Sequence, residues 1–446
     1  MSSEFIVTGT TVEEMGAAVL PSLSFDASQG EIIGIRDTTN NSVREIEAIY
    51  LESKFTFSER FDFLAGLRNE NIKIESSNKP FFDSGIAGST NMYPNRYVLE
   101  AILGLPRGTF GDPFQEGTPF PDEDLAFYQS QVDGEIDENK LLPNLGFIYR
   151  PVDAMAFRLN WSQTVARPSF REVGYYVSTQ PGSNDLVVGN PALELSDVES
   201  LDFRWEYSWG GRGDLVAFSL FNKKIDKPIE SILIRDRGDF NDPTQFQTFF
   251  NNNNSADLNG IEFEVRKNLD FLGSDFMSYF SLGGNMTLID AEVKRSDQEL
   301  EGTDAFFGAV EGESTRFNSI EETRRLFGQP EWITNFDVTF DHPDWGMRAT
   351  LAFFAISDVL DSAGSVNVNF NDEPVSMTLD RYVASYDQID LIFSQEWKGW
   401  TFKVTIKNLT DTSRAIIYDP EQVSGEIQET EFKIGRDYSL SASYVF

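Results

Sequence analysis

The chain has 446 residues, with 36 basic against 72 acidic side chains and no cysteine. A net charge of -36 excludes nucleic-acid binding through a phosphate-neutralising surface, and the lack of thiols excludes disulfides, thiolate zinc sites and cysteine nucleophiles. With 40% hydrophobic and 13% aromatic residues the acidity does not read as disorder.

No apolar run reaches the roughly 18 residues of a membrane helix. The opening MSSEFIVTGTTVEEMG has neither the basic start nor the apolar stretch of a secretion signal. Residues 1–42 read as a loop remnant and 43–446 as one β-rich body. Strands of period two are predicted at roughly 46–57, 61–76, 141–150, 155–165, 198–209, 214–226, 256–268, 276–291, 331–340, 347–357, 380–395, 400–409 and 432–446. In LDFRWEYSW, Leu201, Phe203, Trp205, Tyr207 and Trp209 point one way, and Asp202, Arg204, Glu206 and Ser208 the other. Phe61, Phe63, Ala65 and Leu67 repeat the apolar face, as do Ile261, Phe263 and Val265 against Glu262, Glu264 and Arg266. One such strand fits either a soluble sheet or a membrane wall. Charge on the second face of strand after strand requires water on that side, which a closed sandwich does not supply.

The connections alternate. Short ones are SER, PVDA, GGRG, NLDFLGSD, DHPDWG and EWKG; long ones cover 77–140, 166–197, 227–255, 292–330, 358–379 and 410–431. Soluble domains keep most connections near four to six residues, whereas short turns on one side and long loops on the other mark an outer-membrane barrel. Trp209, Trp345, Trp397 and Trp400 fall at short turns, where an interfacial girdle belongs. The loops carry much of the acid, as in PDEDLAF at 121–127 and VDGEIDENK at 132–140. The last strand leaves a long loop and ends on the short-turn side, so an even-stranded barrel requires at least one strand upstream of 46–57. A hairpin hidden around ESILIRD and TQFQTFF would leave that parity unchanged. The expectation is the C-terminal part of a longer protein.

Candidate chemistry is sparse. His342, the only histidine, lies in a predicted short turn and reads either as a turn residue or as the base of a lumenal hydrolase. No D-x-D-x-D-G loop is present; DGEIDEN at 133–139 comes nearest and reads as solvated loop or weak calcium site. No metal and no cofactor is expected. Inward Arg204, Glu206, Glu262, Glu264 and Arg266 either touch a substrate or a plug, or form ion pairs in a wet wall. The loop aromatics Tyr175, Tyr176, Phe249, Phe250, Phe306 and Phe307 either grip a ligand or pack loop on loop.

Several segments carry a resemblance. LLPNLGFIYRPVDAMAFRLNWSQTVARPSFREV (141–173) resembles a stretch of TonB-dependent outer-membrane receptors in which two strands flank a short turn and an ARP-x-F motif follows. GNPALELSDVESLDFRWEY (189–207) resembles that family's GNP-x-L-x-P-E segment, with Leu195-Ser196 where Pro-Glu is usual. LNGIEFEVRKNL (258–269), IKNLTD (406–411) and the terminal YSLSASYVF are similar to three of its late strands. The resemblance implies an all-β, antiparallel transmembrane β-barrel, present as about 13–14 strands of an expected 22, without the plug that fills the lumen. It implies a cell outer membrane location and contact with outer-membrane lipid. It also implies that Tyr438, Leu440, Tyr444 and Phe446 are read as an insertion signal by the barrel-insertion machinery. The function implied is energised uptake of a bulky scarce solute (ferric siderophore, cobalamin or oligosaccharide), with the missing plug meeting the inner-membrane energy transducer TonB. No enzyme activity is implied. The alternatives are a smaller, non-transporting barrel or surface-binding module, and a soluble β-rich binding protein, which would need a dry core for both strand faces.

Overall fold

The structure is a computed structural model that describes residues 3–7, 23–26, 31–35, 40–78, 132–175, 177–179, 186–210, 213–235, 245–300, 321–368, 374–419, 422 and 427–445. Its main feature is one antiparallel wall, each strand hydrogen-bonded to the next in chain order. The strands are β1 Asn40–Ser58, β2 Phe61–Asn78, β3 Gly134–Val152, β4 Met155–Ala166, β5 Ser196–Trp209, β6 Asp214–Asp226 and β7 Ala256–Asn268. They continue as β8 Phe280–Lys294, β9 Trp332–His342, β10 Met347–Ile356, β11 Tyr386–Trp397, β12 Trp400–Lys407 and β13 Asp437–Tyr444. Among the described residues no pairing joins β13 back to β1, so the barrel is open. Ser3–Val7 pairs with Asn40–Arg44 at the far end of β1.

The predicted strands are all present, several with moved ends. The acidic segment 132–140 is not a loop: from Gly134 it is the upper part of the 19-residue β3. Ile136 is buried on one face there, while Glu135 and Asp137 project from the other. The carboxylates of 133–139 are thereby spread along an extended strand, where a calcium loop would curl them around one point. The predicted strand 380–395 is two elements, because Arg381–Val383 joins a separate sheet before β11 begins. The predicted strand 432–446 likewise divides into the end of Gln428–Lys433 and β13.

Polarity inverts along the wall. At the level of Phe63, Ala65 and Leu67 the outer face of β2 is apolar; above it the same face carries Asn69, Asn71 and Lys73, while Ile72 and Ile74 are buried inside. β7 does the same, with Phe263 and Ile261 outside low down, then Asn259 and Asp257 outside with Leu258 and Ala256 buried. Above that level aliphatic side chains replace much of the inner-face charge, with Arg44, Glu138 and Lys223 still at inward register positions among them. A strand of 18 or 19 residues exceeds the roughly 9–11 needed to cross a bilayer. Its upper part stands in water, with a dry side facing inward.

That dry side is covered by folded connections. Ile72, Ile74 and Ile136 pack with Val165, Val173 and Leu195, and Ala256, Leu258, Ala291 and Val293 pack with Leu326. The long loops are not structureless. Ile229–Arg235 and Gln245–Asn251 form the hairpin anticipated around ESILIRD and TQFQTFF, in a four-stranded sheet with Val177–Thr179 and Leu186–Val188. A second sheet comprises Val359–Ser362, Arg381–Val383, Ser413–Tyr418 and Gln428–Lys433. A bridge between Ile232 and Ala363 joins the two sheets.

The motifs explain themselves locally. Ser169 and Glu172 form a capping box on the turn Phe170–Val173, and Arg167 pairs with buried Glu70. Asn190 donates to the Phe249 carbonyl at 2.9 Å. A Cβ on Gly189 would lie 2.1 Å from the Gly174 carbonyl oxygen, so only glycine permits that approach.

Candidate functional site

The outer and inner faces of the lower wall differ in chemistry. Outside, Phe61 stacks on Tyr149 with centroids 4.5 Å apart, and Phe157 and Phe203 continue the row. Exposed Trp345, Trp397 and Trp400 mark the short-turn rim. His342 belongs to this rim. Its ring lies between Tyr279 and Trp345, at 3.9 and 4.1 Å, and its Nδ1 accepts from the Trp345 backbone N–H. It shares the outward parity of Phe336 and Phe340, so it turns away from the lumen and serves as a turn cap.

Inside, β4, β5 and β7 carry a zigzag of ion pairs. Arg158 pairs with Glu206, Glu206 with Arg204 at 3.3 Å, Arg204 with Glu264 at 2.7 Å, and Glu264 with Arg266 at 3.3 Å. Arg204 also donates to Ser219. Each pair is partly solvated and contributes about 0–1 kcal/mol. Their value is positional: they hold long side chains against the wall. Glu262, beside the row, has no ion pair among the described residues. Of the predicted residues the structure thus brings Arg204, Glu262 and Arg266 together. Arg158 completes the row, and its place opposite Arg204 in the register is set by pairing that a local motif does not reveal.

Above the lumen lies a buried charge cluster that sequence reasoning did not single out. Arg295 pairs with Asp380 and, at 3.3 Å, with Glu299; Arg324 pairs with Glu230 and, at 2.6 Å, with Glu299. All five side chains are at least nine-tenths buried. Asp380 also accepts from the Gly364 amide at 2.7 Å and from Gln422 at 2.9 Å. Glu299 accepts from the Ser296 amide. Three carboxylates face two guanidiniums, leaving one negative charge. Burial pushes the Glu230 carboxyl above its usual range, more than Arg324 pulls it down. Burial opposes charge on Arg324, but Glu230 and Glu299 outweigh that and hold it firmly protonated. The signal in the sequence was Glu230 standing among isoleucines in PIESILI.

The described loop aromatics are buried. Tyr175, just past the Gly174 cap of Phe170–Val173, is buried. Phe249 is buried with Val187 and Leu193, and Phe250 is buried as well. Tyr176, Phe306 and Phe307 lie outside the described residues, as does the segment 121–127. In the last strand Tyr438, Leu440 and Tyr444 project on the outer face, opposite Ile406, Val404 and Trp400; Phe446 lies outside the described residues.

A family model described as TonB dependent receptor-like, beta-barrel matches residues 16–409. Among solved structures, the closed form of the ferric-catecholate import receptor Fiu from E. coli K12 aligns with a TM-score of 0.50 at 15% identity, covering 93% of this chain and 46% of that one. The copper transporter OprC aligns with a TM-score of 0.50 at 12% identity, covering 95% and 52%. At such identities the likeness shows the fold. No curated protein matches the chain. The chain spans about half the length of these two structures.

Proposed function

The chain belongs to the TonB-dependent receptor β-barrel family, and from that premise we propose that it forms the C-terminal wall and extracellular layer of an outer-membrane receptor for energised uptake of a bulky, scarce solute. The observation that carries this reading is the wall itself: aliphatic and aromatic side chains outside, an ion-paired row inside, and a packed loop layer above. The open sheet supports the inference that further strands complete the barrel, because unpaired backbone in hydrocarbon costs several kcal/mol per group. A plug in the completed lumen would meet the inner-membrane transducer, residues 1–42 would serve as an extracellular connection, and β13 would be read during insertion.

Within this reading the solute is a ferric chelate of the kind named for Fiu, cobalamin or an oligosaccharide. Arg204, Glu262 and Arg266 are its lumenal contacts, or those of the plug, and Glu262 is the most available of them. The acidity of the chain disfavours small anionic ligands. No catalytic step is proposed for any residue.

Cell fractionation tests the reading, with an antibody raised against residues 398–446. An outer-membrane band much larger than 50.4 kDa is expected. An outer-membrane band near that mass would leave a barrel but remove the plugged transporter. A soluble band would remove both.

A further inference from the structure

The short-turn rim of the wall is not made of strand ends alone. β7 and β8 are joined by residues 269–279, which form two short 3-10 turns, Leu269–Leu272 and Met277–Tyr279. The connection is knitted to itself. The Asn268 side chain accepts from the Asp270 amide at 2.9 Å and donates to the Ser278 carbonyl at 3.1 Å, and the Ser278 amide donates to the Ser274 carbonyl at 3.2 Å. Gly273 reverses the chain at φ 73°. Three large apolar side chains of this ordered turn nevertheless stay outside: Phe271 is 63% exposed, Leu272 55% and Phe276 50%. A contiguous apolar patch of this kind marks a surface that something covers.

The neighbouring rings fix where the patch lies. Phe276 meets Phe280 at 5.4 Å and Phe340 at 6.0 Å, and those two are register partners on the outward face of β8 and β9. Phe340 in turn lies 6.3 Å from Trp345. At the other end, the Lys267 ammonium lies 5.2 Å from the Phe271 ring and 5.7 Å from that of Trp209. Lys267 shares the outward parity of Phe263 and Val265 and pairs with Asp214. The turn is therefore folded against the outer side of the rim, at the level of Trp209 and Trp345. β6, β7 and β8 contain no tryptophan or tyrosine. Between Trp209 and Trp345 the strands offer the rim the Asp214–Lys267 pair, where an interfacial girdle needs rings. Phe271 and Phe276 supply them from the connection.

We propose that residues 269–279 form a foot embedded in the periplasmic leaflet, with Phe271, Leu272 and Phe276 at the boundary between phospholipid headgroups and acyl chains, and the exposed Asp270, Ser274 and Asp275 on its water side. The proposal rests on the reading that the outer face of the wall meets lipid. Lipid is the occupant because the patch directly prolongs the outward surface of Phe280 and Phe340. Lys267 is neutralised by Asp214 and lays its stem against two rings, so it offers no bare cation to an acidic protein partner. The foot fixes the depth of the rim at β7 and β8 through a connection, whereas elsewhere the rim relies on tryptophans at or beside strand ends.

The test places single cysteines at positions 271, 272, 274, 275 and 276 of the full-length receptor in outer membranes opened to the periplasmic side, with position 263 as the reference for the wall. Each is exposed to a water-soluble maleimide and, separately, carried as a fluorophore exposed to a lipid-phase quencher placed near the headgroups. Quenching is expected at 271, 272 and 276 and maleimide labelling at 274 and 275. In a Leu272→Asp background, quenching at 271 should fall while that at 263 is kept. Maleimide labelling at 271, 272 and 276 with 263 still quenched overturns the foot and leaves the wall in the membrane. Protection of 271, 272 and 276 from both reagents means that protein covers the patch, and overturns the foot equally. Quenching at 271 that is unchanged by Leu272→Asp also contradicts it. Loss of quenching at 263 together with the turn positions overturns the membrane reading itself.

Discussion

Glu230 is a carboxylate that burial makes costly to ionise, in a cluster carrying one more acid than base. Its pKa is raised in the fold above the ordinary 4.5. Its contribution to stability is therefore greatest below pH 4.5 and is lost as pH rises through the folded value. Glu230→Gln removes the titration. Hydrogen exchange across residues 229–251 should show the variant gaining protection relative to wild type as pH climbs above 4.5; a difference independent of pH would contradict the assignment. Glu299 is bonded by both guanidiniums and by the Ser296 amide. Glu299→Ala leaves Arg295 with Asp380 and Arg324 with Glu230 but removes the carboxylate that bridges the two guanidiniums, and the lost buried hydrogen bonds should cost the loop layer about 1–3 kcal/mol, read as faster proteolysis of the loops with the wall intact. Gly189→Ala forces a Cβ into the Gly174 carbonyl and should cost about 1–3 kcal/mol in the same assay.

At the level of the element, the wall strands were legible because period two is imposed by two solvents, and alternation such as Ile261, Phe263 and Val265 against Glu262 and Glu264 records both. What the alternation hid was its own inversion. Asn71, Ile72, Lys73 and Ile74 alternate as cleanly as Phe61 to Leu67, but with the apolar side turned inward above the membrane. Period alone does not say which face is which. The acidic run at 132–140 misled for a related reason: charge suggested loop, although Glu135 and Asp137 project from one face of a strand whose other face buries Ile136. Beyond the hairpin around ESILIRD and TQFQTFF, the assembly of the loop sheets and of the Arg295, Arg324, Glu230, Glu299 and Asp380 cluster was illegible because most partners lie far apart in sequence, as with Arg295 and Asp380. The face assignment itself is testable. Phe263→Arg places a cation on the outer face and should destabilise the folded barrel by about 2–4 kcal/mol. Glu262→Arg, one residue away but inward, should cost far less. The two are compared by urea unfolding in bilayers; equal effects would contradict opposite faces.

The whole molecule joins three layers: a hydrocarbon-facing band, a charged lumen surface and a dry cap of folded loops. The cap sits directly on the strands, through Ile72, Ile136 and Leu258, so it is continuous with the wall. The net charge of -36 is compatible with this arrangement because the apolar band and the ion-paired row confine most of the excess acid to surfaces in water. The absence of cysteine allows a direct test. Single cysteines at positions 261, 262, 263, 264 and 265 of β7, introduced into the full-length receptor in native outer membranes, are exposed to a water-soluble maleimide and, separately, carried as fluorophores exposed to a lipid-phase quencher. Maleimide labelling is expected at 262 and 264 and lipid quenching at 261, 263 and 265. Uniform labelling, or uniform protection with no alternation, would contradict a wall with hydrocarbon on one face and water on the other.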